Sequence, residues 1–250
     1  MIAFTESELL SLVAGLVLPL IRVLGLFTTA PVLSQRTMPA RAKVALAMLI
    51  TLVAAPGIDS PVAPMNLALI MLAVHELAVG LLLGFIARLI FAAFEIAGET
   101  IGLQMGLSFA GFFDPQSGAA NPVARLLNLT ALTAFVMLNG PGLLIAAVIA
   151  SFQTIPINTD FAWMTTYSPV QLGSAVFSLG LSIALPFMIL LLFVNLSLGI
   201  MSRVAPQFSV FAVGFPVTIG VGMAMLTFTA PLMDGAIDVA MTLLQNALPG

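Results

Sequence analysis

Few residues in this 250-residue chain can do chemistry, and their spacing closes most routes. His75 is the only histidine and there is no cysteine, so the chain lacks a second imidazole, a thiolate metal ligand and a thiol nucleophile. His75-Glu76 opens like a zinc-protease helix motif, but the position that needs the second His holds Val79. Gly106-Leu107-Ser108-Phe109-Ala110-Gly111 has one residue too many for a nucleophile elbow, and no further His is present to act as base. No phosphate-binding loop or dinucleotide fingerprint is present. Asn121-Pro122-Val123 matches the half-helix turns of water channels, but the expected second copy is missing. No catalytic residue, metal site or cofactor site is expected.

What remains is charge held in apolar sequence. Apolar residues make up 61% of the chain, against roughly 45–50% in an average globular protein. Charged residues make up 7%, against roughly 25%, and the mean hydropathy is +1.19. Ten acidic and 7 basic groups cannot solvate a water-facing surface of this size, which points to an integral membrane protein or one coated by apolar partners. The net charge of -3 leaves no basic patch to neutralise a run of phosphates, which excludes nucleic acid as a partner. The N-terminal stretch carries Glu6 and Glu8 and no Lys or Arg before Arg22, unlike the positive start of a cleaved signal peptide, so this end reads as mature.

The elements that must position these groups follow from the gaps between charges. Leu9–Leu33, Met65–Ala97, Gln171–Ser202 and Phe208–Met233 are apolar and long enough to cross a bilayer, which takes about 20 residues. Pro19 and Pro186 predict kinks in the first and third. Leu126–Thr159 is cut by Asn139-Gly140-Pro141-Gly142 into two pieces too short to cross alone, and reads as a short hairpin of antiparallel helices closed by Pro156. Such a break at membrane depth needs protein or an aqueous lumen around it. Arg36, Arg41 and Lys43 form the only basic cluster, which the positive-inside rule places in the cytoplasm.

Glu76, Gly80, Gly84 and Arg88 follow one another at spacing four, and Gly98, Gly102 and Gly106 repeat that spacing. Small residues so spaced let helix backbones approach closely in a membrane, either within this chain or against another subunit. Arg22, Glu76, Arg88, Glu95 and Glu99 lack helical-neighbour partners of opposite sign, so they pair with distant elements, other chains or water. A structural ion-pair network is preferred to a proton relay. Residues 106–121 hold glycines, prolines and turn formers, a loop of about sixteen residues, longer than compact domains usually leave structureless. Phe109, Phe112 and Phe113 at its start are either an apolar anchor or the lining of a constriction.

The stretch Asn195-Leu-Ser-Leu-Gly-Ile-Met-Ser-Arg203-Val-Ala-Pro206-Gln-Phe-Ser-Val210-Phe-Ala-Val-Gly214-Phe215-Pro216-Val-Thr218 resembles the C-terminal signature of the FliR family of flagellar type III export-gate proteins. Ala97-Gly98-Glu99-Thr-Ile101-Gly102-Leu-Gln104-Met-Gly106-Leu-Ser-Phe-Ala110, with Asp114-Pro115, is similar to the family too, as is Thr29-Ala-Pro31-Val-Leu-Ser34-Gln-Arg36-Thr-Met-Pro39. The likeness runs in order over nearly the whole chain. Asn139-Gly140-Pro141 departs from it, where an aromatic or His is expected after Asn-Gly.

The resemblance implies a single export-gate domain over residues 1–250: an all-α membrane-associated protein whose kinked long helices and short hairpins assemble with partners into a helical gate. It implies FliP-like and FliQ-like subunits in the same assembly, an FlhB-like subunit docked outside, and unfolded rod, hook and flagellin substrates in transit. The implied place is the bacterial inner membrane within the flagellar basal body, extending to the periplasmic side. Residues 106–121 correspond to the family's channel plug, with Phe109, Gly111, Phe112, Phe113, Asp114 and Pro115 as candidates. Glu76, Gly80, Gly84, Arg88, Gly98, Gly102, Gln104, Gly106, Pro206, Gly214, Phe215 and Pro216 are the packing and assembly candidates. A self-sufficient solute transporter with broken helices is the competing class, although the paired repeats common in transporters are not visible.

Overall fold

The computed structural model describes residues 6–35, 38–54, 58, 67–107, 121–158, 160–161, 163–166, 169–205, 213–229 and 233–249. Every regular element among them is helical: α1 Glu6–Thr29, α2 Ala40–Ala54, α3 Leu67–Gln104, α4 Pro122–Met137, α5 Gly140–Thr154, α6 Trp163–Thr166, α7 Pro169–Val204, α8 Phe215–Thr229 and α9 Met233–Ala247. The protein is an all-α membrane protein: α3, with 38 residues, and α7, with 35 from Val170, are long and apolar enough to cross a bilayer.

Each boundary has a local cause. α1 stops at Thr29, before Pro31 and the left-handed Val32 (φ 66°), four residues short of the expected Leu33. α3 runs past the expected Ala97 to Gln104 and ends in a Schellman turn. There the Gly106 N–H donates to the Leu103 carbonyl (3.1 Å), and the Leu107 N–H donates to the Gly102 carbonyl (3.0 Å). Gly106 sits at φ +80°, the conformation that glycine adopts without a Cβ penalty. α4 begins with Pro122 at its first position, and the Asn121 carboxamide caps it by accepting from the Val123 N–H (3.0 Å).

One sequence expectation is corrected, and another falls partly outside the described residues. Of Phe208–Met233 the structure describes α8, 15 residues from Phe215 to Thr229 with Pro216 in its first turn, while residues 208–212 and 230–232 lie outside the described residues. The pair α4–α5 is bent by 65°, which is short of the reversal a hairpin makes. The break is a single left-handed residue, Asn139 (φ 56°), after which Gly140 and Pro141 restart the helix at once. One such residue redirects a helix without supplying the backbone needed to fold it back on itself.

The chain divides into two compact units. The first comprises Met1–Leu89, Val136–Leu172 and Thr242–Gly250. Its α2 packs on α1, and Leu18, Ala54, Leu72, Phe152 and Ile157 form an apolar cluster from four helices and the turn after α5. The second comprises Ile90–Phe135 and Gly173–Met241. In it Phe91 meets Phe135 edge to face at 5.3 Å, and Gly180 of α7 lies over the Ala93 carbonyl of α3, where a Cβ would stand 2.7 Å from the oxygen. In this unit α9 buries Met233, Ile237 and Ala240 and exposes Asp234 and Asp238, the pattern of a helix with one wet face.

Candidate functional site

The first unit is built round a charged cluster with no solvent exposure. Arg22 of α1 meets Glu76 of α3 through a two-pronged pair: Nε donates to Oε2 and Nη2 to Oε1, both at 2.8 Å. Nη1 donates to the Ser151 Oγ of α5 (3.0 Å), and Nη2 also donates to the Ile155 carbonyl at the end of that helix (2.9 Å). The guanidinium stacks over the Phe152 ring at 4.2 Å. Ser151 Oγ in turn donates a hydrogen bond to the Val148 carbonyl (2.6 Å).

Beyond Glu76 the cluster continues to His75, whose Nδ1 lies 3.0 Å from Oε1. The indole Nε1–H of Trp163 donates to His75 Nε2 (2.8 Å), so Nε2 is an acceptor and the ring proton of the neutral tautomer sits on Nδ1, donating to Glu76. His75 also meets the rings of Phe161 and Trp163 edge to face, at 5.3 and 5.8 Å. Arg22, His75, Glu76 and Ser151 are all fully buried. Every oxygen of Glu76 and four of the five Arg22 N–H groups have partners, so the carboxylate is not open to a substrate. The cluster fastens α1, α3, α5 and α6 together, and the charges that the sequence left without partners find them 54 and 129 residues away.

The glycine stripe explains how α1 and α3 come close enough for this pair. A Cβ on Gly80 would collide with the Arg22 carbonyl, and one on Gly84 with the Thr29 hydroxyl. From the other side Gly25 faces Gly80, with room for a Cβ only 3.2 Å from its Cα. Sequence reasoning did not single out Gly25, although a glycine within an apolar helix is the available signal. Arg88, last of the stripe, is exposed.

In the second unit the remaining glycines seat α4 and α8 on the end of α3. A Cβ on Gly98 would overlap the Ala124 backbone, and one on Gly102 the Asn121 carboxamide. Asn121 Nδ2 donates to the Gly98 carbonyl (3.2 Å). Glu95 and Glu99 are exposed, and Glu99 Oε2 lies 3.4 Å from the same Nδ2. The Phe215 ring covers Gly106, and the buried Thr218 donates to the Met105 carbonyl (3.2 Å). Gln104 offers its carbonyl to Asn195 Nδ2 at 3.5 Å. Gly214 is buried beside this seat and Pro216 exposed. The two separate strings that carried the family resemblance therefore meet at Gly106 and Phe215. Phe109, Gly111, Phe112, Phe113, Asp114, Pro115 and Pro206 lie outside the described residues. Trp163, Ser151, Asn121 and Thr218 were not singled out from sequence; for Trp163 the signal was its being the only tryptophan.

No group of three or more potential metal-binding side chains occurs among the described residues. The chain matches the family model described as bacterial export proteins, family 1, over residues 13–244. It is 42% identical over 236 residues to the flagellar biosynthetic protein FliR of Escherichia coli K12, covering 93% of this chain and 90% of that one. It is 39% identical to the FliR of Pectobacterium carotovorum, with the same coverage. It is 32% identical to that of Bacillus subtilis, over 88% of this chain and 87% of that one. With the match spanning both units and the signature residues meeting round Gly106, the chain belongs to the bacterial export proteins of family 1, the FliR family.

Proposed function

We propose that this chain is a structural and gating subunit of the flagellar type III protein export channel, one domain over its whole length. In this reading it winds with FliP-like and FliQ-like subunits into the gate, and an FlhB-like subunit docks outside. Unfolded rod, hook and flagellin chains pass through, and residues 106–121 plug the channel at rest. The assembly sits in the bacterial inner membrane, within the basal body, and extends to the periplasmic side. The chain performs no catalytic step; it supplies packing surfaces and a movable constriction.

The observation that carries the reading is the surface of α7. Phe177, Ile189, Leu192, Phe193, Leu196 and Ile200 are each more than half exposed along this one helix. That apolar surface is unstable in water and needs lipid or partner helices over it. A gate subunit has both. A self-sufficient transporter has lipid alone to cover it.

The test is expression with and without the FliP-like and FliQ-like subunits. With them the chain is expected to enter one stable complex; alone it is expected to aggregate or be degraded. A monodisperse, protease-resistant monomer recovered without companions would refute the proposal.

A further inference from the structure

His75 does something in the buried cluster that the Arg22–Glu76 pair does not need. Its ring is fully buried, and its two nitrogens have opposite tasks: Nδ1–H donates to Glu76 (3.0 Å) and Nε2 accepts from the Trp163 indole (2.8 Å). An indole nitrogen only donates, so the bond from Trp163 exists only while Nε2 carries no proton. What it holds in place is small. α6 is four residues long, a single turn with no helical stability of its own. Trp163 and Met164 line a groove of about 600 Å³ with Ala78, Leu81 and Phe85 of α3, so the contact beside the indole bond is apolar. Asn158, Asp160 and Met164 are exposed. The only tryptophan and the only tyrosine, Trp163 and Tyr167, stand here among Thr165, Thr166 and Ser168, the mixture found where a membrane meets water.

We infer that His75 and Trp163 form a pH-sensitive latch: α6 stays docked on α3 while His75 is neutral, and a proton taken from water at Nε2 releases it. With α6 docked, the Nε2 lone pair is committed to the indole bond. With α6 lifted, the cationic ring keeps Nδ1–H on the Glu76 carboxylate and turns Nε2–H to the space that Trp163 has left. One proton is bound on lifting and none on docking, so acid favours the lifted state. The charged groups round the ring are Glu76, beside it on α3, and Arg22 of α1, which pairs with the same carboxylate. α5 brings Ser151, which does not titrate, and the turn before α6 brings the Phe161 ring. Asp160, one residue earlier, is exposed. The charges of Arg22 and Glu76 cancel, so the proton adds one net positive charge to a dry cluster, which is stable only once Nε2–H reaches water. Proton and docked indole thus exclude each other both at the atom and in the charge of the cluster.

The experiment follows amide exchange of α6 by mass spectrometry in the intact assembly, corrected for the intrinsic effect of pH on exchange. An imidazole in water takes its second proton at about pH 6.5. The open fraction of α6 is therefore expected to rise about tenfold between about pH 8 and about pH 5.5, while α3 stays protected. W163F keeps a ring in place and lacks the N–H, so its α6 is expected to exchange faster at the higher pH and to lose most of the pH response. H75Q offers Trp163 an acceptor that does not titrate, and is expected to stay protected at both pH values. D160N alters the nearby carboxyl but not the latch, and is expected to respond like the native protein. Equal protection of native α6 at both pH values would overturn the inference. So would a full pH response in W163F or H75Q, or its loss in D160N, since another group would then be titrating. Where a latch variant does not assemble, the native and D160N profiles still decide.

Discussion

Replacing Glu76 with Ala tests whether the buried cluster holds the first unit together. The substitution strips Arg22 of both short bonds to carboxylate oxygen and leaves its guanidinium in a site with no solvent access. Breaking a buried ion pair from one side costs about 3–5 kcal/mol, most of it the desolvation of the orphaned charge. His75 loses its acceptor too, which pushes the figure towards the upper end. The double replacement R22M/E76L removes both charges and fills a similar volume, so the charge penalty disappears. It does not restore everything. As in E76A, His75 loses its acceptor, and the Ile155 carbonyl also loses its bond from Arg22, at about 1–3 kcal/mol, whereas Ser151 keeps its bond to the Val148 carbonyl. The expected order of stability is therefore native, then R22M/E76L, then either single substitution, with the double variant about 2 kcal/mol above E76A. The assay is heating of the solubilised complex followed by limited proteolysis, with the surviving fraction of this chain read by immunoblotting. An E76A variant that unfolds with the native protein would refute the reasoning. So would a double variant no better than E76A, since the cost would then not be that of an unpaired charge.

Other predictions concern the close helix contacts and the loop. Gly80→Leu and Gly84→Leu should each cost several kcal/mol, on the order of 4, because the added carbon meets the Arg22 carbonyl or Thr29, and immunoblotting should find little folded protein. Gly106→Ala should cost about 1–2 kcal/mol from its positive φ alone and more from the Phe215 ring, lowering the melting temperature; Phe215→Ala in the same background should recover part of the loss. Asn121→Ala should cost about 1 kcal/mol for the lost cap, read as faster amide exchange in the first turn of α4. Changing Phe109, Phe112 and Phe113 to Ala should leave the complex assembled but let small solutes leak through the membrane, measured as conductance; a tight membrane round an assembled variant would sink the plug assignment.

Much of this architecture was legible because glycine and proline act locally. Gly106 could be read as a helix stop, and Asn139-Gly140-Pro141 as a break, since both follow from backbone conformation within a few residues. The angle at that break was not legible, because one left-handed residue sets a redirection whose size depends on packing further along. The partner of Glu76 was beyond reach for a different reason. Arg22 lies 54 residues away on another helix, and a glycine stripe on α3 does not by itself say which helix it receives.

The register in which α1 and α3 meet is set by the glycines, and this links the two readings of the spacing-four stripe. Gly80 and Gly84 receive the backbone of α1, while Gly98 and Gly102 receive the start of α4. Each of these contacts lies within one unit of the chain, so the stripe serves the chain's own helices before any neighbour's. A consequence follows for the charges on the same helix. Glu76, four residues before Gly80, is drawn inward to a partner on the apposed helix, whereas Arg88, four residues after Gly84, and Glu95 remain on the surface. A charge kept on the surface of so apolar a helix is stable only where water, a lipid headgroup or an opposite charge reaches it. Position along α3 thus separates two kinds of ionisable residue that composition alone had treated as one. Glu76 is held within the fold, and Arg88 and Glu95 are left to meet whatever surrounds it.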